Sequence, residues 1–168
     1  MAGGDQVFRG RVISVRLVST PRGQREVVDH PGAVAVAVRN AAGKLLLVRQ
    51  HRPGANRPLW EIPAGTLEPG ERPLAAARRE LAEETGLAAD RLRYLGTIYP
   101  TPGYGAERIF LFAAQATGTA APQAEIAAVG YFSSAEIVAL ARAGQGDGKT
   151  LAALTLLQLG EQGQEQPT

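Results

Sequence analysis

The chain has 168 residues, of which 45% are hydrophobic and 20% charged, values typical of one globular domain. It contains no cysteine, which excludes disulfides, thiolate zinc sites and cysteine nucleophiles. The net charge of +2, with basic and acidic residues interleaved, gives no indication of a nucleic-acid surface. No apolar run reaches the roughly 20 residues that span a bilayer, and the chain start lacks the basic residues of a signal peptide, so we expect a cytoplasmic protein.

Turn residues divide the first third of the chain into extended segments. Residues 7–18 alternate in part and predict a strand, and the turn Pro21-Arg22-Gly23 leads to a second strand at 25–28. We therefore predict an N-terminal β-hairpin within residues 1–32. The continuously apolar run 33–38 predicts a strand buried on both faces, and residues 45–48 predict another.

The remainder of the chain predicts a mixture of strands and helices, and thus an α/β domain at residues 33–160. After a helix at 74–85, strands are predicted at 92–99, 108–113 and 129–132. Ser133 and Glu136 have the spacing of a capping box for a helix that ends near Arg142. Asp147 is predicted to cap a final helix at 149–159, and residues 161–168 to form a flexible tail.

The central helix carries an unusual set of acidic residues. Pro73 suits the first helical position, Gly86 suits a left-handed cap, and Leu74, Ala77 and Leu81 are predicted to share the buried face. The helix also carries three glutamates on a neighbouring arc: Glu80, Glu83 and Glu84. Like charges at this spacing repel one another, so the cluster favours a hard divalent cation such as Mg²⁺ or Mn²⁺. The alternative is a solvated acidic stripe.

The residues around this helix follow a longer pattern that favours the first interpretation. Gly65 is followed after five residues by Glu71, and seven more lead to Arg79-Glu80-Leu81, then Glu83-Glu84 and Gly86-Leu87. This spacing resembles the Nudix box, G-x5-E-x7-R-E-U-x-E-E-x-G-U with U aliphatic, at every specified position. The resemblance implies an α/β/α sandwich with a mixed sheet, here with an N-terminal β-hairpin extension. It also implies metal-dependent hydrolysis of a nucleoside diphosphate linked to another group.

The resemblance assigns roles within the box. Glu80 and Glu84 would be the principal metal ligands, Glu83 would join a second ion, and the carbonyl of Ala64 would also bind metal. Glu71 and Arg79 are expected to pair and brace the loop. The base that activates water is expected on a loop well after the box, where Glu125 is the single acid between Glu107 and Glu136. The alternative base is Glu83.

Segments outside the box resemble the ADP-ribose pyrophosphatase branch of this family. They are Phe8 to Val15, Val27 to Val34, Val48 to Arg52, Pro58 to Gly65, and the loop Tyr99 to Arg108. Substrate-binding roles are predicted for Arg49 and Arg52, which would neutralise phosphates, and for Pro102 and Glu107 of the loop. The resemblance further implies a homodimer in which Arg25 or a neighbouring hairpin residue approaches the partner's nucleotide site.

Two features are set aside and several functions remain open. Gly144 to Thr150 ends like a phosphate-binding P-loop, but Ala143 stands where the first glycine is required. His30 and His51 are isolated and expected to be structural. The leading interpretation is hydrolysis of ADP-ribose or a similar ADP-sugar. The alternatives are another nucleoside diphosphate derivative, a nucleoside triphosphate, or a module that senses a nucleotide without turnover.

Overall fold

The computed structural model describes residues 4–162, which form two groups of strands separated by an α-helix and followed by two C-terminal helices. The strands are β1 (Asp5–Arg9), β2 (Ser14–Thr20), β3 (Gly23–Asp29), β4 (Ala33–Val38), β5 (Leu45–Arg52), β6 (Arg57–Glu61), β7 (Ala64–Thr66), β8 (Ala88–Ile98), β9 (Ile109–Thr117) and β10 (Ala128–Phe132). The α-helices are α1 (Pro73–Thr85), α2 (Ser134–Arg142) and α3 (Gly148–Gln162). Among these described helices, none combines the length and the apolar character needed to cross a membrane.

Strand β4 lies at the centre of the fold, and all of its residues are buried, as predicted. It pairs in parallel with β9 and antiparallel with β7, and β8 completes a mixed sheet in the order β7-β4-β9-β8. Successive side chains point to opposite faces. Val34 therefore packs with Leu81 of α1, whereas Ala35 packs with Ile137 of α2 and Leu154 of α3. This arrangement confirms the α/β/α sandwich.

A second sheet has the antiparallel order β10-β5-β6. Its central strand β5 is longer than predicted, because it continues beyond Val48 to Arg52. Backbone pairing with β6 supports this extension, with Gln50 opposite Leu59 and Arg52 opposite Arg57. The extension carries Gln50 and Arg52 out of the core and towards the candidate site.

The N-terminal region differs from the predicted hairpin. The single strand at 7–18 was wrong, because the backbone turns at Gly10, whose N–H donates to the carbonyl of Ile13 at 2.8 Å. The hairpin of β2 and β3 is present, and β1 adds a third antiparallel strand to it. Two hydrogen bonds join β3 to the following domain: Val28 N–H donates to Tyr104 O at 2.8 Å, and Ala106 N–H to Val28 O at 2.9 Å.

The C-terminal helices begin as predicted. Ser133 and Glu136 form the capping box of α2, and Asp147 Oδ1 accepts from the backbone N–H of Thr150 at 3.1 Å at the start of α3. Of the predicted flexible tail, residues 161 and 162 belong to α3, and residues 163–168 lie outside the described part.

Candidate active site

Helix α1 presents its acidic residues through a face different from the one predicted. It begins with Pro73 and ends at Gly86, which adopts a φ of 71° and donates its N–H to Ala82 O. Leu74 was predicted to be buried but is 45% exposed. The buried arc instead includes Ala76, Ala77, Glu80, Leu81 and Glu84. Two glutamates are thus part of the buried face of the helix, and Leu74 lies at the margin of that face.

The two buried carboxylates contact the short strand β7. Glu84 Oε2 accepts from the backbone N–H of Ala64 at 3.1 Å. Glu80 lies so close to Gly65 that a Cβ on that residue would stand 2.0 Å from the carboxyl carbon. Burial raises the pKa of Glu84 to about 7 and also raises that of Glu80, because the charged form loses its hydration. The arrangement therefore holds two carboxylates where an additional positive charge would stabilise them.

Arg79 braces the loop in front of the helix, as predicted. Its Nε and Nη2 donate to the two carboxylate oxygens of Glu71 at 2.9 and 2.8 Å. Its Nη1 donates to Glu80 at 2.7 Å and to Glu83 at 3.0 Å. The hydrogen bonds from Arg79 lower the pKa of Glu71 to about 2. Arg79 therefore ties the loop to the acidic cluster, and its bonds keep the Glu71 carboxylate charged over the physiological pH range.

The acidic cluster lines a cavity of about 180 Å³, which we call the acidic cavity. Its walls bring together the four glutamates predicted for metal and water chemistry, Glu80, Glu83, Glu84 and Glu125, with Gln50, Ala124 and Ile126. Backbone contacts hold the loop of Glu125 there: Gln123 N–H donates to Glu84 O at 3.2 Å. Ala124, with a φ of 49°, adopts a left-handed conformation that is unfavourable for a side chain with Cβ.

Gln50 is a residue of this cavity that sequence reasoning did not assign. Its Oε1 atom is buried and has no hydrogen-bond partner among the residues that the structure describes. Buried acceptors in native proteins are usually satisfied by protein or by ordered water. Gln50 therefore presents an unused acceptor next to the glutamates. Gln50 reaches the acidic cavity because β5 continues past the core as far as Arg52.

A larger cavity of about 650 Å³ is lined in part by Ala64 and Gly65, and we call it the substrate cavity. It brings together Arg52 and Glu107, two of the residues predicted to bind substrate, although they are 55 positions apart in the sequence (107 − 52). His30 also lines this cavity, with its Nδ1 3.7 Å from Glu107 Oε1. Ile98, Pro100 and Ile109 give the cavity an apolar side.

The other predicted substrate residues lie elsewhere in this chain. Arg49 is exposed and lines neither cavity, because alternation along β5 directs it away from the face that carries Gln50 and Arg52. Arg25 is exposed on β3 and donates to its neighbour Gln24 at 2.9 Å. Pro102 lines a separate cavity with Val27. The structure does not bring these three residues to the candidate site.

Three charged residues of the substrate cavity region were missed. Glu61 is 1% exposed, and Asp147 and Lys149 line the cavity wall from the start of α3. The segment that carries the last two had been set aside as an incomplete P-loop. The sequence showed a helix cap followed by Lys149 and Thr150, but nothing in it indicated that this segment lies beside β6.

The comparison with known proteins agrees with this geometry. The model of the NUDIX domain matches residues 29–154 of the chain. The chain belongs to the Nudix family. Its Nudix box is the loop and helix that carry Gly65, Arg79 and the glutamates of the acidic cavity.

Individual relatives give further similarities. The Nudix chain is 43% identical over 116 residues to the ADP-ribose pyrophosphatase of Bacillus subtilis (strain 168), a match that covers 66% of this chain and 63% of the relative. It is 41% identical over 116 residues to the methanol dehydrogenase activator of Bacillus methanolicus, again covering 66% and 63%. The chain thus spans less than two thirds of the length of both relatives. A crystal structure of an ADP compounds hydrolase has the same fold, with a TM-score of 0.74 and 23% identity over 97% of this chain and 94% of that one.

Proposed function

We propose that this protein hydrolyses the pyrophosphate of ADP-ribose, or of a similar ADP-sugar, to AMP and a sugar phosphate, with Mg²⁺ or Mn²⁺ as cofactor. The observation that carries the proposal is the position of Ala64 and Gly65. These residues line the substrate cavity, and their backbone meets the carboxylates of Glu84 and Glu80 from the acidic cavity. A pyrophosphate in the substrate cavity would therefore lie next to the acidic cluster.

The residues present suit a divalent metal. Burial makes the carboxylates of Glu80 and Glu84 costly to ionise without a cation, and Gln50 Oε1 offers an unused acceptor beside them. No three His, Asp or Glu side chains within residues 4–162 are arranged to enclose an ion by themselves. This agrees with Mg²⁺, which keeps several waters and binds through one or two carboxylates and substrate phosphates. Glu80, Glu84 and the Ala64 carbonyl would hold it, with Glu83 beside a second ion.

A bound divalent ion neutralises the repelling charges of a pyrophosphate and lowers the pKa of water. The chain itself supplies the other parts of the reaction. Arg52 places a guanidinium in the substrate cavity, where it can bind phosphate oxygens through two hydrogen bonds. Glu125 or Glu83, both of which line the acidic cavity, accepts the proton of the attacking water.

The size and lining of the substrate cavity support a nucleotide sugar. A volume of about 650 Å³ lies within the range of small-molecule sites, and the wall combines apolar residues with charges of both signs. The name of the Bacillus subtilis relative supports ADP-ribose as the substrate. The methanol dehydrogenase activator shares nearly as much identity, so the likeness alone does not define the substrate. A sensing module is less well supported, because every glutamate of the box is retained.

A substrate panel tests this function. The purified chain is assayed with ADP-ribose, ADP-glucose, GDP-mannose, NADH and a nucleoside triphosphate, each with Mg²⁺ and with EDTA. We expect AMP from ADP-ribose or another ADP-sugar at a kcat/KM well above that of the other compounds, and no product with EDTA. A preference for a triphosphate, or turnover that is unchanged by EDTA, would contradict the proposal.

The Gly65 contact gives a specific prediction about the box. Gly65→Ala should displace the Glu80 carboxylate, the flexible end of a side chain, while the backbone remains in place. We expect a reduced affinity for Mn²⁺, measured by titration, and a kcat lowered by about tenfold or more, with little change in melting temperature. Gly160→Ala is the matched control, because a Cβ there meets no atom within 4 Å. Unchanged Mn²⁺ affinity in Gly65→Ala would exclude Glu80 as a ligand.

We also propose a C₂ homodimer formed through the N-terminal sheet. The sheet and the turn between β1 and β2 expose large apolar side chains, among them Phe8 of β1 at 53% and Val12 of the turn at 49%. Such a patch on a small sheet favours association with a second surface. The partner copy would then bring Arg25 towards the substrate cavity.

Light scattering tests the assembly. We expect the full chain to be a dimer at micromolar concentration and Phe8→Glu/Val12→Glu to be a monomer with a raised KM, since the partner's contribution to the site is lost. Leu159→Glu, which makes the same kind of substitution once at a side chain 59% exposed on α3, should stay dimeric. A fully active monomer would exclude a shared site.

A further inference from the structure

Glu61 is the most deeply buried charged residue of the substrate cavity region, and it contacts two cations. Its side chain is 2% exposed. One carboxylate oxygen, Oε1, accepts from Arg52 Nε at 2.6 Å. The other, Oε2, accepts from Lys149 Nζ, which also contacts Asp147 Oδ2. Arg52 and Lys149 are thus held on one wall of the substrate cavity by a single carboxylate.

The chain positions Lys149 by docking residues 145–150 along β6. Trp60 N–H donates to Gln145 O at 2.8 Å, and Ile62 N–H donates to Thr150 Oγ1 at 3.0 Å. These two bonds lie on either side of Glu61 in the sequence. Asp147 also caps the helix at Thr150. The first turn of α3 is therefore fixed against the strand that carries Glu61.

A contribution to folding stability alone does not explain why these charged groups are clustered around Glu61. A buried ion pair often contributes no more to stability than well-packed apolar residues of similar volume. The second reason lies in the cavity. Both cations line it together with Ala64 and Gly65, and the charge of Glu84 in the acidic cluster acts on Arg52. A pyrophosphate that approaches the acidic cavity would meet them.

The bond pattern indicates what each residue contributes. Burial acts to lower the pKa of Arg52, but the hydrogen bond and the charge of Glu61 act against it, and the pKa is raised. Glu61 occupies Nε, and no residue within 4–162 accepts from the Nη atoms, so the four Nη–H donors of the guanidinium remain for an anion. Glu61 alone would cancel the positive charge that it orients. Glu61 and Asp147 together balance the charges of Arg52 and Lys149, so what favours phosphate here is the set of Nη–H donors on Arg52, which lines the cavity.

We propose that Glu61 and Lys149 are positioning residues that orient Arg52 towards the diphosphate of the substrate, which makes the first turn of α3 part of the substrate site. The inference rests on the proposed function, because it assigns the diphosphate to this cavity. The segment Gly144 to Thr150 would then have a role in phosphate binding. It would act through the contact of Lys149 with Glu61, and not as a P-loop.

The test replaces the pair together, so that neither Glu61 nor Lys149 is left without the other, and Asp147 keeps the hydrogen bond from Thr150 N–H. In Glu61→Leu/Lys149→Met we expect a KM for ADP-ribose raised about tenfold or more, because Arg52 loses a bond to a charged group. The kcat should change by less than about threefold, since the acidic cavity is unaltered. The same rise is expected in the Kd for ADP-ribose measured by calorimetry in EDTA. Lys44→Met, which removes a cation from an exposed ion pair with Glu136, should leave both constants unchanged.

A second comparison separates positioning from general loss of structure. If the pair acts through Arg52, then adding Arg52→Met to Glu61→Leu/Lys149→Met should raise KM little further. Additive effects, or an unchanged KM and Kd with only a lower melting temperature, would overturn the inference. A wild-type chain that binds ADP-ribose without hydrolysing it would contradict the proposed function but leave the Kd comparison valid. A chain that does not bind ADP-ribose would contradict both.

Discussion

Glu84→Gln should lower kcat by about 10³-fold, because a ligand that holds a divalent ion contributes several kcal/mol to charge stabilisation in the transition state. The substitution should preserve the fold. Glutamine keeps the oxygen that accepts from Ala64 N–H, and it removes one of two neighbouring buried negative charges. We therefore expect an inactive protein that is folded and, without metal, more stable than the wild type at pH 8.

The pH dependence follows from the direction of the pKa shift. Burial raises the pKa of Glu84 from its ordinary 4.5 to about 7 in the folded protein. The protonated Glu84 therefore makes its full favourable contribution to the free energy of unfolding below pH 4.5. This contribution is lost as the pH rises towards and through 7. The loss is on the order of 3 kcal/mol. Metal-free wild type should melt at a lower temperature at pH 8 than at pH 5.5, and Glu84→Gln should show a smaller difference.

Thermal melts with and without Mg²⁺ measure these effects. At pH 8, Mg²⁺ should raise the melting temperature of the wild type and have little effect on Glu84→Gln. Glu136→Gln serves as the control, because it removes a remote carboxylate while glutamine still completes a capping box. Undiminished hydrolysis by both Glu84→Gln and Glu80→Gln at saturating Mg²⁺ would disprove the metal-site assignment.

Glu125→Gln should lower kcat by about 10²- to 10⁴-fold, the usual effect of removing a positioned proton acceptor. Glu125 is exposed on its loop, so the substitution leaves no buried group without a partner, and folding should not change. Since Glu125 lines the acidic cavity without contacting Ala64 or Arg52, KM and the Mg²⁺ requirement should change much less.

The comparison variant is Glu83→Gln, which changes the alternative base in the same cavity. Steady-state rates across pH 6–9 distinguish the two, because removal of the base should also abolish the acidic limb of the kcat profile. A decrease below threefold in Glu125→Gln, together with a large decrease in Glu83→Gln, would assign the base to Glu83.

Local patterns were sufficient where neighbours in sequence decide the structure. Pro73 and Gly86 predicted both ends of α1, and the unbroken apolar run 33–38 predicted a strand covered on both faces. The spacing of the box predicted that Glu80, Glu83 and Glu84 meet. The ends of α1 and the box depend on contacts within one element or between adjoining ones. For β4, only the burial was predicted and not the distant helices that cover it.

The sequence was less informative where distant segments meet. Leu74 was placed on the buried face because apolar residues are usually buried, whereas contact with Ala64 and Gly65 draws Glu80 and Glu84 inward. Lys149 and Glu61 are 88 positions apart, and no local pattern indicates their contact. The alternation of residues 7–18 did not reveal the turn at Gly10, because polar and apolar residues also alternate in loops.

The loop that Arg79 braces and the carboxylate of Glu84 respond to acid at different pH values. The carboxylate that Arg79 holds most firmly, Glu71, stays ionised down to a pH of about 2, whereas Glu84 takes up a proton near 7. Mild acid should therefore neutralise Glu84 well before it disrupts the loop that positions it. Inactivation at about pH 5 should accordingly be reversible without refolding, and a sample kept there should regain activity as soon as it is returned to neutral buffer with Mg²⁺.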